Sequence, residues 1–545
     1  MARQSEPIRS KASERINACW PGGLSLLFLV LLIGGSFAAL LSTSGSSNLV
    51  EDFRSSAYLR KVVLFTLWQA SLSMLISVGI AIPVARAFAR QQSLTGRRAV
   101  LRFLGLPIVT PVIVAVLGIT AVYGQSGALR EGLQLFGVSW SSNFYGITGI
   151  LFAHVFFNLP LSIRMLLPAW DRIPAESWRL AAHLGMNSRQ IFLWLEWPAL
   201  TTVLAGTAGI VFLLCFSSFA VVLVLGGGPS ATTIEVAVYE ALRFNFNPSR
   251  AASLAMGQLA ICTIIIIALH RWMRIQPISV GLGRAQRYRS DVSRWYYRWF
   301  DLSLITLTTG FVALPFMAIM YTGIAGPIMR IIFDARVWAA AGRSICIAIA
   351  AATIALLLAI GLLFTSRHLL LQSGHRSLSG ALQILGSITL AVPPMVIGTG
   401  VFILLLPMGI AFDAAILVIA LVNGILVLPY MMRTIGPALL DAGYRYDRLC
   451  RQLDLRGWRR LRIIEWPIIR QPLGFAAALS ATLSFGDLGV AALFDTSGAI
   501  TLPVLLYNRL AAYRFDEASS TALVLIALCA VVFVVLDRGI GKWRS

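Results

Sequence analysis

Twelve apolar stretches divide this 545-residue chain, at about 24–41, 62–84, 101–122, 146–167, 199–225, 252–270, 302–322, 343–364, 382–406, 412–432, 473–494 and 520–537. A helix that crosses a bilayer takes about 20 mainly apolar residues, and each stretch is near that length. The boundaries at 199–225 and 382–406 are the least sharp, because Gly and Pro interrupt them. Hydrophobic residues make up 58% of the chain and charged residues 12%, against about 25% charged in a soluble globular protein. No soluble core absorbs that much apolar sequence. The fold class expected is an all-α polytopic membrane protein.

The charges are clustered between the apolar runs. They are 42 Arg and 3 Lys against 23 acids, a net charge of +22. Such a balance points to nucleic acid or membrane. The arginines sit in short loops and no nucleic-acid module accompanies them, so topology explains them and no nucleic-acid partner is expected. The N-terminal tail, the 85–100 loop (Arg86, Arg90, Arg97, Arg98) and the 271–298 loop with seven Arg fall on one side of the membrane. Arg367, Arg376, the 433–470 segment and Arg538, Lys542 and Arg544 fall there too. Loops 42–60, 123–145 and 407–412 carry few basic residues. By the positive-inside rule both termini are expected in the cytoplasm. Leu24–Leu41 lacks a convincing cleavage site and reads as an uncleaved first span. The six cysteines are scattered with no metal-ligand spacing, so no metal site is expected.

A shift of 269 residues brings out a long gap-free register. Leu159-Pro160 falls on Leu428-Pro429, Arg164 on Arg433, Pro168 on Pro437, Glu196-Trp197-Pro198 on Glu465-Trp466-Pro467 and Phe216 on Phe485. His154 meets Asn423, polar against polar inside a span. Shared membrane composition would match Leu and Ala, not Pro, Arg and Trp. The chain therefore reads as two six-span copies, 1–270 and 301–545, joined by a basic cytoplasmic linker at 271–300. Six is even, so the copies have the same orientation and form a parallel repeat about an axis along the membrane normal.

Between spans four and five lies "RIPAESWRLAAHLGMNSRQIFLWLEWP", residues 172–198. Pro174 followed by Glu176 suits a helix start. Gly185 then allows a turn, and a second short helix from Ser188 leads to Pro198 at a tolerated first-turn position. Helix, turn, helix and span make a compact knuckle on the basic side. Its counterpart is 443–467.

The six-span repeat with paired knuckles resembles the inner-membrane permease subunits of binding-protein-dependent ABC importers. Their signature is Glu-Ala-Ala, three residues, Gly, nine residues, then apolar, any, apolar, Pro. Here Ala181 holds the second Ala place, Gly185 the Gly, Leu195 the apolar place and Pro198 the Pro, with Arg179 at the usual Glu and Leu180 at the first Ala. The second copy places Arg448, Leu449, Cys450 and Asp454 there, with Ile464 and Pro467 intact. Asp454 in place of Gly leaves the shape of that turn open. The resemblance implies that each knuckle docks into a cytosolic ATPase, that two ATPase copies serve the chain, and that a periplasmic binding protein delivers substrate. A headgroup-level interfacial helix is the plainer alternative. The stretch 212–243, with "HVFFNLP" and "LAAHLGM…EWP", resembles the thiamine transporter permeases over about residues 60–537. That implies transport of thiamine or its phosphates into the cytoplasm across the bacterial inner membrane. Ferric-iron importer permeases share the fused architecture and are the nearest alternative.

A phosphate-binding loop needs Gly-Lys-Ser/Thr, and none of Lys11, Lys61 or Lys542 fits. The chain is thus expected to be no enzyme and to need no cofactor, with ATP hydrolysis on a separate subunit. Charges within spans default to functional candidates. Asp487 in "LSFGDLGVAAL" could face a cationic thiazolium, or bond locally beside Gly486 and Gly489. His154 and Asn158 could face the interior or pair with neighbouring helices. Phe216 and Phe219, spaced i, i+3, could stack on a pyrimidine or only pack. The "GGGP" at 226–229 reads as an external turn. The segments 229–250 and 497–516, paired through Thr233/Thr501 and Tyr239/Tyr507, are expected at the outer rim, with Glu235, Glu240, Arg243 and Arg509 as candidate docking charges. A secondary transporter is the alternative from another class. Parallel repeats, paired knuckles and the scarcity of acids and His within spans argue against it.

Overall fold

A computed structural model describes residues 20–44, 56–137, 143–228, 231–272, 289, 295–371, 375–387, 389, 392–455, 457–494, 498 and 500–541. The basic tail, Cys19, most of the 271–300 linker, Pro229, Lys542 and Arg544 lie outside the described residues. Every regular element among the described residues is helical. In chain order the main ones are α1 (Trp20–Thr43), α2 (Ala57–Arg90), α3 (Val112–Tyr123), α4 (Ile147–Asp171), α5 (Ala175–His183), α6 (Ser188–Ile191), α7 (Trp197–Phe216), α8 (Ala220–Leu225), α9 (Ile234–Arg243) and α10 (Pro248–Trp272). Then follow α11 (Trp295–Ala325), α12 (Ala335–Leu371), α13 (Pro394–Leu405), α14 (Ala415–Gln452), α15 (Gly457–Arg460), α16 (Trp466–Phe485), α17 (Gly489–Leu493), α18 (Leu502–Ala511) and α19 (Phe515–Gly541). Among the described residues eleven helical stretches, one of them α3 with the helix after it, are long and apolar enough to span a membrane, and the shorter apolar helix Pro394–Met408 stands where the sequence places one more. The chain is a multi-pass membrane protein.

The stretches at 101–122 and 382–406 are not single helices. Thr110 turns to an extended conformation before Pro111, and α3 starts only at Val112. Likewise Pro393, at ψ 138°, precedes α13. A residue before proline is pushed out of the helical region, and proline has no N–H to continue the ladder. Each of these helices has 12 residues, about 18 Å, and α3 reaches spanning length only together with the short helix Ala128–Leu135 that follows it. Non-helical backbone at membrane depth survives only where protein surrounds it. Accordingly, Ile113 to Ile119 and Met395 to Ile403 are buried throughout.

The chain forms two compact units that cross the sequence halves. One holds residues 1–48, 238–259 and 327–545, so α1 belongs with the helices of the second half. There α1 packs on α13, while α12, α14, α16 and α19 pack on one another. The contact of α1 needs small residues. A Cβ on Gly361 would lie 2.3 Å from Ser25 Oγ and 2.7 Å from Pro21 O. A Cβ on Gly400 would lie 2.6 Å from Ser36 Cβ. Close approach through small residues is how lipid-embedded helices associate, since lipid is as apolar as the side chains it replaces.

The other unit holds residues 49–237 and 260–326, so α11 belongs with the helices of the first half. It packs on α2 and α3. Phe311 and Phe316 of α11 meet Tyr123, Phe152, Phe156 and Phe103 at centroid distances of 5.7–6.4 Å. The two six-span copies expected from the sequence and the compact units in space are therefore different divisions of the chain.

Candidate functional site

The first knuckle begins where Pro174 interrupts the chain after α4, with φ −59° and ψ 146°, and starts α5. At its far end Gly185 takes φ +61°. Leu184 N–H donates to Leu180 O (2.9 Å) and Met186 N–H to Ala181 O (3.0 Å). This is the left-handed glycine cap that satisfies the last carbonyls of a helix. Asn187 then opens α6 with a reciprocal cap. Its side chain accepts Gln190 N–H and the Gln190 side chain accepts Asn187 N–H, both at 2.9 Å.

The second knuckle is built differently at its start. Gly443 stands at the register position of Pro174, and α14 runs unbroken to Gln452. Gly443 keeps the backbone N–H that Pro174 lacks, so the ladder is not interrupted at this position, although Pro429 and Pro437 stand earlier in the same helix. A Cβ at Gly443 would meet Leu371 Cδ1 at 2.6 Å, so glycine also permits close packing on the end of α12. The far end repeats the first knuckle. Asp454 takes φ +48°, Leu453 N–H donates to Leu449 O (3.0 Å) and Leu455 N–H to Cys450 O (2.9 Å). Asp visits the left-handed region more readily than most residues, so the turn survives the loss of Gly.

Both knuckles end in a widened helical turn, Phe192–Glu196 and Leu461–Glu465, in which Trp197 N–H reaches Phe192 O and Trp466 N–H reaches Leu461 O. The cause is the proline one residue on. Pro198 and Pro467 lack an N–H and crowd the carbonyl four residues back, and the preceding turn relaxes to i→i+5 bonding.

The motif positions share their exposure across the register. Arg179 and Arg448 are exposed, Ala181 and Cys450 buried, Leu195 and Ile464 half-buried, and Pro198 and Pro467 exposed. Gly185 and Asp454 are exposed. Each knuckle presents an i, i+4 leucine pair: Leu180 (60% exposed) with Leu184 (65%), and Leu449 (41%) with Leu453 (60%).

The Glu of each Glu-Trp-Pro is fully buried. Glu196 Oε2 accepts from Arg86 Nε on α2 at 2.5 Å and Oε1 from Arg289 Nη2 at 2.6 Å. The Arg289 guanidinium also lies 4.4 Å from the centre of the Trp178 ring on α5. Arg86 further donates to Ser188 O at 2.7 Å, and Arg90 pairs with Ser188 and, at 3.3 Å, with Asp301 of α11. In the other unit Glu465 pairs with Arg367 on α12 and, at 2.8 Å, with Arg460 Nε. Arg460 Nη1 reaches Asp447 Oδ1 on α14 at 2.9 Å. Sequence reasoning counted Arg86 and Arg367 only as topological charges and passed over Arg289, Arg460, Trp178 and Asp447 as partners. One signal was available: Arg86 falls on Arg367 at a shift of 281, a register offset from that of the knuckles because the segment between α3 and α4 (124–146) is longer than that between α13 and α14 (406–414).

Of the pathway candidates, Asp487 lies in the break between α16 and α17, its Oδ1 accepting Gly489 N–H at 3.1 Å. Its Oδ2 is buried with no hydrogen-bond partner among the described residues. His154 Nδ1 bonds Ser73 Oγ at 2.8 Å, and Asn158 Nδ2 donates to Cys215 Sγ at 3.2 Å. Phe216 and Phe219 do not share a helix face. α7 ends at Phe216, and Phe219 precedes α8 across a break at Ser217-Ser218. Both are buried, with Phe216 stacked on Phe212 at 5.8 Å.

The expected outer rim is largely interior. Glu235 is 1% exposed and Arg509 8%, so neither is a surface charge. Arg509 pairs with Asp334 at 2.8 Å and with Thr521. α9 buries Ile234 to Tyr239, and α18 buries Leu502, Pro503, Val504 and Leu506. Among the described residues no group of three His, Cys, Asp or Glu could hold a metal ion.

A polytopic helical membrane protein with paired knuckles, each closing a polar cap against a long helix, has the construction of a transport permease. No protein-family model matches the chain. The thiamine transport system permease protein ThiP of Brucella suis biovar 1 is 40% identical over 527 residues, 96% of each chain. ThiP of Escherichia coli K12 is 38% identical over 524 residues, again 96% of each chain. The chain belongs to the ThiP family of thiamine transport system permeases. A putative ferric transport system permease, FbpB 1 of Haemophilus influenzae, is 28% identical over 242 residues, 43% of this chain and 37% of that one.

Proposed function

We propose that this chain is the transmembrane subunit of an ATP-binding-cassette importer that moves thiamine or its phosphates from a periplasmic binding protein into the cytoplasm. The observation that carries the reading is the pair of knuckles. Two segments 269 residues apart in register expose the same leucine pair and end in the same left-handed turn. Two equal handles suit two copies of one cytosolic ATPase. The two six-span copies then lie parallel in the bacterial inner membrane, with the basic loops and both termini in the cytoplasm. ATP hydrolysis resides on the partner. Within the membrane Asp487 is the candidate to ease passage of a cationic thiazolium, a reading supported by its carboxylate lying beside a helix break.

Uptake of labelled thiamine in cells with and without the gene tests this reading. Loss on deletion, recovery on return, abolition by ATP depletion and indifference to excess ferric iron are expected. Unchanged thiamine uptake with lost iron uptake would transfer the assignment to ferric iron, the reading favoured by the partial likeness to the ferric permease.

A further inference from the structure

The Glu of each Glu-Trp-Pro falls at the unspecified place between the two apolar positions of the importer motif, yet both copies fill it with a buried carboxylate. We propose that Glu196 and Glu465 are positioning residues: each clamps its knuckle to a long helix, α2 or α12, so that knuckle and helix move as one lever. The proposal rests on the coupling role given to the knuckles above.

Three relationships support it. First, both carboxylates take one arm from the end of the long helix, Arg86 or Arg367. Second, both take another arm that ties back to a single register position on the first knuckle helix. Arg289 stacks over Trp178, and Arg460 bonds Asp447, which is Trp178 shifted by 269. The chemistry differs and the bridge is the same. In the first copy the arm comes from the linker between the halves, in the second from the knuckle itself. Third, the long helices carry the tie onward. Thr66 Oγ1 of α2 accepts the Ile234 N–H at the start of α9 (3.1 Å), and Gln69 Nε2 donates to Cys215 O (3.0 Å), just ahead of the break after α7. On α12, Ser344 Oγ accepts the Leu502 N–H at the start of α18 (2.9 Å). From Arg86 to Thr66 is about 30 Å of continuous helix, with Pro83 near the Arg86 end. A displacement at the knuckle is thereby delivered to the breaks deep in each unit.

The clamp is read by amide hydrogen exchange on the full chain in lipid nanodiscs, which needs no ATPase. Glu196→Gln is expected to speed exchange over 184–197 about tenfold and leave 453–466 unchanged; Glu465→Gln does the converse. In vesicles holding the chain with its co-purifying ATPase and binding protein, thiamine imported per ATP hydrolysed falls about tenfold in either variant, and Glu→Asp restores most of it. Should a Gln variant fail to fold, Arg289→Ala and Arg460→Ala remove one arm each, with faster exchange confined to 184–197 and 453–466 respectively. Unchanged exchange in these segments overturns the clamp. Faster exchange with an unchanged transport ratio overturns its part in coupling. Failure of the knuckles to bind an ATPase at all would instead refute the coupling role and leave the exchange result standing.

Discussion

Arg86 Nε donates to Glu196 Oε2 across 2.5 Å, although 110 residues separate them and Glu196 has no exposed surface. A buried carboxylate is tolerated only while its partners stay. Breaking such a pair from one side costs about 3–5 kcal/mol, whereas replacing both members by apolar groups is often neutral. Glu465→Gln is therefore expected to lower the thermal unfolding midpoint in detergent more than Glu465→Met with Arg367→Met. In the double variant Arg460 keeps Asp447 as partner. Equal midpoints would show that the charges are solvated and the burial irrelevant.

Leu184 and Leu453 are the apolar tips of the knuckles. Leu184→Glu and Leu453→Glu should each weaken ATPase docking by about 2 kcal/mol or more, and together abolish co-purification and thiamine uptake. Being exposed, they should shift stability by about 0.5 kcal/mol or less. Retained co-purification in the double variant would rule out the knuckles as docking handles.

Gly185 at φ +61° and Asp454 at φ +48° hold equivalent left-handed turns. A side chain there costs about 1–2 kcal/mol, so Gly185→Val is expected to destabilise. Asp454→Gly should be neutral or stabilising. Melting curves with the opposite order would mean that the Asp454 side chain contributes something beyond the turn.

Asp487→Asn keeps an acceptor for the Gly489 N–H, removes the charge and turns the second oxygen into an NH2 donor. The chain should fold with an unchanged melting midpoint, and thiamine uptake should fall about tenfold, as loss of about 1.4 kcal/mol of pathway stabilisation implies. Normal uptake would return Asp487 to a purely local role in shaping the break.

Gly361 faces α1 with room for no more than a hydrogen, a Cβ meeting Ser25 Oγ at 2.3 Å. Gly361→Val should destabilise by about 1–3 kcal/mol through overpacking. Limited proteolysis is expected to release α1 faster. An unchanged digestion pattern would show that α1 is held elsewhere.

Much of this was legible in the residues, and for a local reason. Spans of about 20 apolar residues, the Pro-directed starts of α5 and α7 and the left-handed turn at Gly185 depend on neighbours a few positions away, and the sequence displays those neighbours. Even so, local reading stopped short at Phe216 and Phe219, where hydrophobicity continues through Ser217-Ser218 but the helix does not. It also placed Glu235 and Arg509 outside, because a charge beside an apolar segment reads as surface until its partners, here Asp334 and Thr521 for Arg509, are in view.

By itself the sequence determined that the chain is a helical membrane protein with a doubled knuckle, because hydropathy, proline and glycine act within a turn or two of where they stand. Tertiary structure alone decided that α1 packs with the second half and α11 with the first. It alone decided that Arg86, Arg289 and Arg367 close on the two buried carboxylates. Those three pairings span 93–110 residues and are fixed by the desolvation of charge inside a packed interior. No local pattern of residues encodes that.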